Sequence, residues 1–330
     1  MVEGYRFRMK AIVCEHFGPV ADLRLVERES APVGPVDVRV EVTACGVNFV
    51  DGLFVQGKYQ IKPPVPFVPG MEVVGRVVER GSEVTDRAIG DRVFVNVGLG
   101  GYVSEVVVSA ARTMILPDTI TDGQAATFTQ SYLTGWFALR ERAQVEAGQS
   151  ILVLGAGGGV GLAAVDLASM LGLRVIAVAS TEEKRQLALS RGAESVIDST
   201  TEDVKERAKE LGGGSVDVLY DPVGGDLGTT CLRALGDNGA YLVIGFVAGI
   251  PNLPANQILL RNRRVIGVDW GGWALRNGER NNHMVAEVLA EIAAGRLHPV
   301  EPVRYRLAQA SQALTDLEER RVAGKAILVP

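Results

Sequence analysis

The chain has 330 residues, 47% hydrophobic and 22% charged, with a net charge of −5 and a pI near 5.5. That length predicts two compact domains, and the acidic balance argues against a broad nucleic-acid footprint. The longest apolar run, 151–165, is too short for a membrane span and is broken by glycines, and the first residues lack the apolar stretch of a secretory signal. Cys14, Cys45 and Cys231 lie far apart with no C-x-x-C pair, which suits reduced thiols and predicts a cytoplasmic protein.

In chain order, residues 9–13 read as a first strand, which leaves 1–8 as an extension without a structural role. Apolar and polar residues alternate over 36–43, the pattern of a half-buried strand. A further strand is expected at 73–79, and strands at 92–97 and 102–108 flank glycine-rich 98–101 as the arms of a hairpin would. From Thr121 or Asp122 the apolar spacing turns helical, through Ala125, Phe128, Tyr132, Phe137 and Leu139. Strands at 151–154, 174–179, 195–198, 216–220, 240–246 and 264–269 then alternate with helices from 160, at 181–191, at 202–211 and around 230–235. Such alternation predicts an α/β fold with a doubly wound parallel sheet of the Rossmann type, preceded by a mainly antiparallel β domain. A helix at 284–294 and a last strand at 326–329 complete the chain, the strand returning to the first domain. The expected division is 1–124 with 272–330 in one domain and 125–271 in the other.

The strongest motif is Ile151-Leu-Val-Leu-Gly-Ala-Gly-Gly-Gly-Val-Gly161, an apolar strand running into a glycine-rich turn and a helix of small residues. Gly157, Gly158, Gly159 and Val160 would bring free backbone N–H groups and a positive helix end to a pyrophosphate. A site that reads the 2′-OH of NAD has an acid near the end of the second strand, about 20 residues on. Here the strand ends Val178-Ala-Ser180, and Lys184 follows one helical turn later. Ser180 as donor and Lys184 as cation predict NADPH. The alternative makes Lys184 a solvated helix lysine and gives the ribose to Glu182 or Glu183, although acids are common in a first helical turn anyway.

Further motifs along the chain are Gly46-Val-Asn48-Phe-Val-Asp51, Pro69-Gly-Met-Glu-Val-Val-Gly75, Gly90-Asp-Arg-Val93 and Leu133-Thr-Gly135. Together with Gly157-Gly-Gly-Val-Gly161 they resemble the zinc-free, zeta-crystallin-like quinone oxidoreductases of the medium-chain dehydrogenase/reductase superfamily. The resemblance implies a GroES-like β domain, a Rossmann domain, a cleft between them and a homodimer or larger homo-oligomer. Zinc-dependent relatives carry Cys and His where this chain has Asn48 and Met71, and the four-cysteine structural-zinc loop is missing, so no metal is expected. Without a Lewis acid, a conjugated acceptor is favoured, because conjugation already spreads the incoming charge.

By the same resemblance Asn48 and Asp51 are expected near the nicotinamide ribose, Tyr59 on a loop lining the substrate pocket, and Thr134 near the nicotinamide. Phe246, Val247, Val268, Asp269 and Trp270 would border the nicotinamide half, Ser199 the adenosine phosphate, and Lys325 would return to the cofactor from the last strand. Bland roles compete: local capping for Asn48 and Thr134, a simple loop aromatic for Tyr59, and a core or interface residue for Trp270. Cys45 reads as a small buried residue. The expected function is NADPH-dependent hydride transfer to a quinone, with an enone or 2-enoyl thioester as the alternative acceptor. From another class, a non-catalytic crystallin-like or RNA-binding role remains open, with RNA disfavoured by the acidic pI.

Overall fold

The computed structural model describes residues 8–330. The chain divides into two compact units, one of residues up to 127 together with 300–330, the other of residues 128–299.

The first unit begins with β1 (Arg8–Val13), paired antiparallel with β2 (Arg24–Glu29). Arg8 is therefore part of the first strand, opposite Glu29, and only residues 1–7 of the expected extension lie outside the described residues. Next come β3 (Asp37–Val47), α1 (Phe49–Val55), β4 (Glu72–Arg80), β5 (Arg92–Asn96), β6 (Glu105–Ser109), β7 (Thr113–Ile115) and the single-turn α2 (Asp122–Ala125). β3 is the spine of this unit: Val38, Val40 and Val42 are buried in the core, while Arg39, buried as well, is paired with Glu79 and Glu105. The expected hairpin of β5 and β6 does not form. β5 pairs with β4 and β7, whereas β6 pairs with β3. The intervening segment is tied elsewhere, with Gly101 N–H donating to Gly70 O and Tyr102 N–H to Pro69 O, so it carries the chain across the sheet.

The helix expected from Thr121 through Leu139 is interrupted. Thr121 and Gln124 form a capping box on α2, but the Thr127 hydroxyl donates back to Gly123 O and the helix stops. In the second unit the chain resumes as wide π-helical turns at Thr129–Leu133 and Phe137–Ala143, with one α-helical turn, α3 (Thr134–Trp136), between them.

An alternating series follows: β8 (Ser150–Val153), α4 (Gly159–Met170), β9 (Arg174–Ala179), α5 (Glu182–Leu189), β10 (Ser195–Asp198) and α6 (Val204–Leu211). It continues with β11 (Val216–Asp221), α7 (Gly225–Cys231), β12 (Leu235–Val243), α8 (Ala255–Leu259) and β13 (Arg264–Gly267). All six strands are parallel, in the order β10-β9-β8-β11-β12-β13, which puts the reversal of strand order between β8 and β11. Ile151, Leu152 and Val153 are fully buried, as both-sided coverage by helices requires. β12 and β13 end a little earlier than expected, at Val243 and Gly267, and Leu235 already belongs to β12 rather than to a helix.

Two helices close this unit, α9 (Trp270–Arg276) and α10 (Gly278–Ala293). Here the expected domain boundary needs correction, because residues 272–299 belong with the second unit. α10 buries Met284, Val285, Val288 and Ile292 beside the Thr129–Leu133 turn, and His298 N–H donates to Asp166 of α4 at 2.6 Å. The chain then rejoins the first unit through β14 (Val303–Arg306), α11 (Ala310–Glu318) and β15 (Ala326–Val329). As expected, β15 joins the first unit's sheet, antiparallel to β3 and parallel to β14.

Candidate active site

In the first unit the local fold around Asn48 gathers a buried polar cluster. Asn48 follows β3 directly in extended conformation and stands at the N-cap of α1. Asp51, three residues on, accepts a hydrogen bond from Asn48 N–H at 2.8 Å, so the helix end is capped by Asp51. The Asn48 amide is thereby directed elsewhere: its Nδ2 donates to Glu72 Oε2 at 2.9 Å, and its Oδ1 accepts from Lys325 Nζ. Glu72 opens β4 and Lys325 immediately precedes β15, the strands on either side of β3, so sheet topology delivers all three side chains to one point. Asp51 is 0% exposed, Glu72 1% and Lys325 8%. Tyr102, also fully buried, donates its hydroxyl to Asp51 Oδ2 at 3.0 Å, while Asp51 Oδ1 has no hydrogen-bond partner among the described residues.

Burial dominates the electrostatics of this cluster. It pushes the Asp51 carboxyl up to about 7; the Asn48 N–H, the Tyr102 hydroxyl and Lys325 oppose the rise, and Glu72 adds to it. It also pulls the Lys325 ammonium below its ordinary value, against the attraction of Glu72 and Asp51. The Cys45 thiol is driven well above its usual range by burial, then by Asp51 and Glu72, in keeping with a small buried residue rather than a nucleophile. Met71, the other position where zinc-dependent relatives have a ligand, is a partly buried residue packed on the core. Among the described residues no three His, Cys, Asp or Glu side chains converge as metal ligands.

Tyr59 lies on the loop after α1, half-buried, with its ring 4.6 Å from that of Phe54. Thr134 is buried in the second unit, where its hydroxyl donates to Gln130 O at 2.6 Å, the local capping role.

The second unit builds a different kind of site. β8 runs through Leu154 into a turn in which Gly155 adopts φ +60°, and α4 starts at Gly159 with Gly158 at its N-cap and no side chain capping it. A Cβ on Gly161 would lie 2.3 Å from Gly155 O, and one on Gly157 would lie 2.4 Å from Lys184 Cβ. At Gly158, by contrast, the only neighbour would be Gly155 O at 3.5 Å. The turn is therefore closed by packing on two sides and open at its tip, where backbone N–H groups and the positive helix end can seat a pyrophosphate. Lys184, 9% exposed, lays its alkyl stem across Gly157 and so belongs to the turn rather than to a solvated helix face. Ser180 is exposed at the end of β9, and Ser199 N–H donates to Ala179 O beside it.

Phe246 and Val247 are exposed in the segment after β12, and Val268 N–H donates to Val243 O. The polar and aromatic residues that follow are committed to local structure. Asp269 caps α9 by accepting from Gly272 N–H at 2.9 Å, and Trp270 is buried with its Nε1–H donating to Asn281 Oδ1 at 3.0 Å.

The family models agree with this two-part reading. Residues 34–118 match the model described as alcohol dehydrogenase GroES-like domain, and residues 159–293 the model described as zinc-binding dehydrogenase. The chain is 37% identical to quinone oxidoreductase-like protein 2 of Bos taurus over 90% of its length and 86% of the relative's. It is 34% identical to a quinone oxidoreductase of Pseudomonas aeruginosa, over 97% of this chain and 99% of that one. The chain belongs to the quinone oxidoreductase branch of the medium-chain dehydrogenase/reductase superfamily. Its fold matches that of Escherichia coli quinone oxidoreductase complexed with NADPH, with a TM-score of 0.87 at 31% identity, over 97% of this chain and all of that one. Within this family the first unit is the GroES-like domain and the second the Rossmann domain.

Glu72, Tyr102 and Arg185 join the site residues only with the fold in hand. Glu72 stands inside one of the recognised motifs, but its partners Asn48 and Lys325 come from distant strands. Tyr102 follows a glycine-rich loop with no local sign that it reaches Asp51. Arg185 adjoins Lys184, yet only the register of β9 and β10 sets it against Asp198.

Proposed function

We propose that this chain is an NADPH-dependent, zinc-independent oxidoreductase that delivers a hydride to a conjugated acceptor, first of all a quinone. The observation that carries the reading is the glycine turn at the start of α4 with the Lys184 stem laid against Gly157. It couples a pyrophosphate seat to a cation one helical turn along, where a 2′-phosphate needs one. The NADPH complex of the Escherichia coli relative supports the same choice. A bound nicotinamide dinucleotide supplies the hydride; the chain's own groups bind, orient and manage protons. At the position of a zinc ligand in other branches, the Asn48 amide is engaged by Glu72 and by the buried Lys325 ammonium. Asp51, with its carboxyl near 7, is poised to take up or release a proton around neutral pH and accepts a hydrogen bond from the Tyr102 hydroxyl. Asn48, Asp51 and Tyr59 are proposed to serve the acceptor, and Gly157, Gly158, Gly159, Val160, Ser180, Lys184 and Ser199 the dinucleotide.

Steady-state NADPH oxidation with a quinone, an enone and a 2-enoyl thioester tests this directly. Turnover of the quinone is expected, unchanged after chelation. No turnover with any acceptor, or dependence on one bound zinc per chain, would refute the proposal; the first outcome would leave the non-catalytic roles. A cytoplasmic homodimer completes the reading. β13 ends the parallel sheet with Val265 exposed, and Leu259 and Leu260 are exposed just before it, an apolar edge that favours pairing with a second copy. Light scattering at micromolar concentration is expected to give the dimer mass, and a monomer mass would reject it.

A further inference from the structure

This inference rests on the cofactor reading above and sharpens it. We propose that Arg185 is a positioning residue for cofactor choice. It engages two acidic side chains, Glu182 at the start of α5 and Asp198 at the end of β10, so that neither reads a ribose hydroxyl nor repels a 2′-phosphate.

In sites of this topology an acid at the end of the second strand accepts from the ribose hydroxyls of NAD. Two acids stand close to that place here. Asp198 ends β10 in register with Ala179, the last residue of β9, and Glu182 opens α5. The same first turn of α5 holds Lys184, whose stem covers Gly157, so the acids share the neighbourhood of the phosphate turn. Left free, either carboxylate would offer the ribose an acceptor and would repel the roughly −1.5 to −2 charge of a phosphate monoester.

Arg185 occupies both. Its Nη1 lies 2.9 Å from Asp198 Oδ2, and its Nε and Nη2 donate to Glu182 Oε2 at 3.1 and 2.9 Å. The remaining oxygens are also engaged. Glu182 Oε1 accepts from Gln186 Nε2 at 2.6 Å, and Asp198 Oδ1 from the Thr200 N–H at 2.8 Å and hydroxyl at 2.6 Å. Every carboxylate oxygen of the pair thus has a donor. The Gln186 and Arg185 donors lower Glu182, and the Thr200 donors lower Asp198, so both acids stay charged at neutral pH and only a cation can balance them. The Arg185 side chain is only 14% exposed, held between its two partners rather than waving in solvent. Arg185 offsets one of the two negative charges it holds, and its loss makes this neighbourhood, which also includes the exposed Glu183, more negative by one charge. Lys184 then serves the phosphate directly, and Arg185 acts through the acids it holds.

Calorimetric titration with 2′,5′-ADP and 5′-AMP tests this without turnover. Wild-type protein is expected to prefer 2′,5′-ADP. Arg185→Ala is expected to weaken 2′,5′-ADP by about tenfold while 5′-AMP binding holds or tightens, as the Coulomb energy of an uncompensated charge at partly screened range implies. Glu182→Ala alone removes one negative charge and should hold or tighten 2′,5′-ADP binding, and in the Arg185→Ala background it should recover a large part of the loss. Arg185→Lys, which keeps the charge but cannot span both partners, is expected to fall between and replaces Ala should that variant not fold. An unchanged ligand ratio in both Arg185 variants would overturn the inference. So would equal loss of both ligands, which marks a purely structural arginine, or a double variant no better than Arg185→Ala, which marks direct phosphate contact. A wild type without preference for 2′,5′-ADP defeats the NADPH reading itself, a separate outcome.

Discussion

The two units place their charges on opposite plans. In the GroES-like unit Asp51, Glu72 and Lys325 are sealed inside, each almost without solvent contact, and one of them titrates near neutrality as a result. At the β9 and β10 ends of the Rossmann unit, Glu182, Arg185 and Asp198 sit at the rim, where water still reaches the acids and both carboxyls are lowered. Desolvation is the leading influence on Asp51 and Lys325, whereas hydrogen bonding leads for Glu182 and Asp198. The inner set is therefore coupled to folding and to proton affinity, and the outer set to which anion is admitted.

The sharpest way to break this contrast is Lys325→Met. Removing the ammonium leaves Glu72 and Asp51 buried without a cation, and a loss of about 3–5 kcal/mol in urea unfolding is expected. The pH dependence should change with it. Between the ordinary carboxylate value of about 4 and about 7, folded Asp51 holds a proton that the unfolded chain has released. Stability contributed by this group therefore falls as pH rises through that window and levels off above it. Lys325 lowers the Asp51 value, so in the variant the decline should continue above pH 7. A variant with wild-type stability and an unmoved upper edge would show that the cluster is not electrostatically coupled.

A smaller effect is expected at the glycine turn, where sterics rather than charge decide. Gly161→Ala forces a methyl against Gly155 O, a backbone atom that cannot step aside, and about 1–3 kcal/mol of stability and most dinucleotide affinity should be lost. Gly158→Ala meets only Gly155 O at an ordinary contact distance, so its fold should be nearly unaffected. Thermal melts and NADPH titration of the pair give the comparison, and equal behaviour of the two variants would argue against a tightly closed turn.

Much of the architecture was legible from local pattern. The alternation from 151 onward predicted all six parallel strands, because the central ones, buried on both faces, are short apolar runs and most are separated by a helical pattern. The glycine turn was legible for the same reason: its chemistry lies within a few consecutive residues. What failed was set by pairing at a distance. Residues 92–108 look like a hairpin, but backbone bonds of Gly101 and Tyr102 to Pro69 and Gly70 carry β6 away from β5 to β3. The segment 272–299 offers only an amphipathic helix, which could serve either unit until Met284, Val288 and the Asp166–His298 contact fix it to the second.

By itself, then, the sequence determined the fold class; its own pattern offered the glycine turn and Lys184 as candidates, and the family resemblance added Asn48, Asp51 and Lys325. Tertiary structure alone decided what those side chains touch. β3 lies between β4 and β15, so Glu72 and Lys325 meet Asn48 although 24 and 277 residues separate them from it. The register of β9 against β10 likewise decides that Arg185 meets Asp198. Sheet order and register are global outcomes of packing, and no local pattern of side chains encodes which distant strand becomes a neighbour.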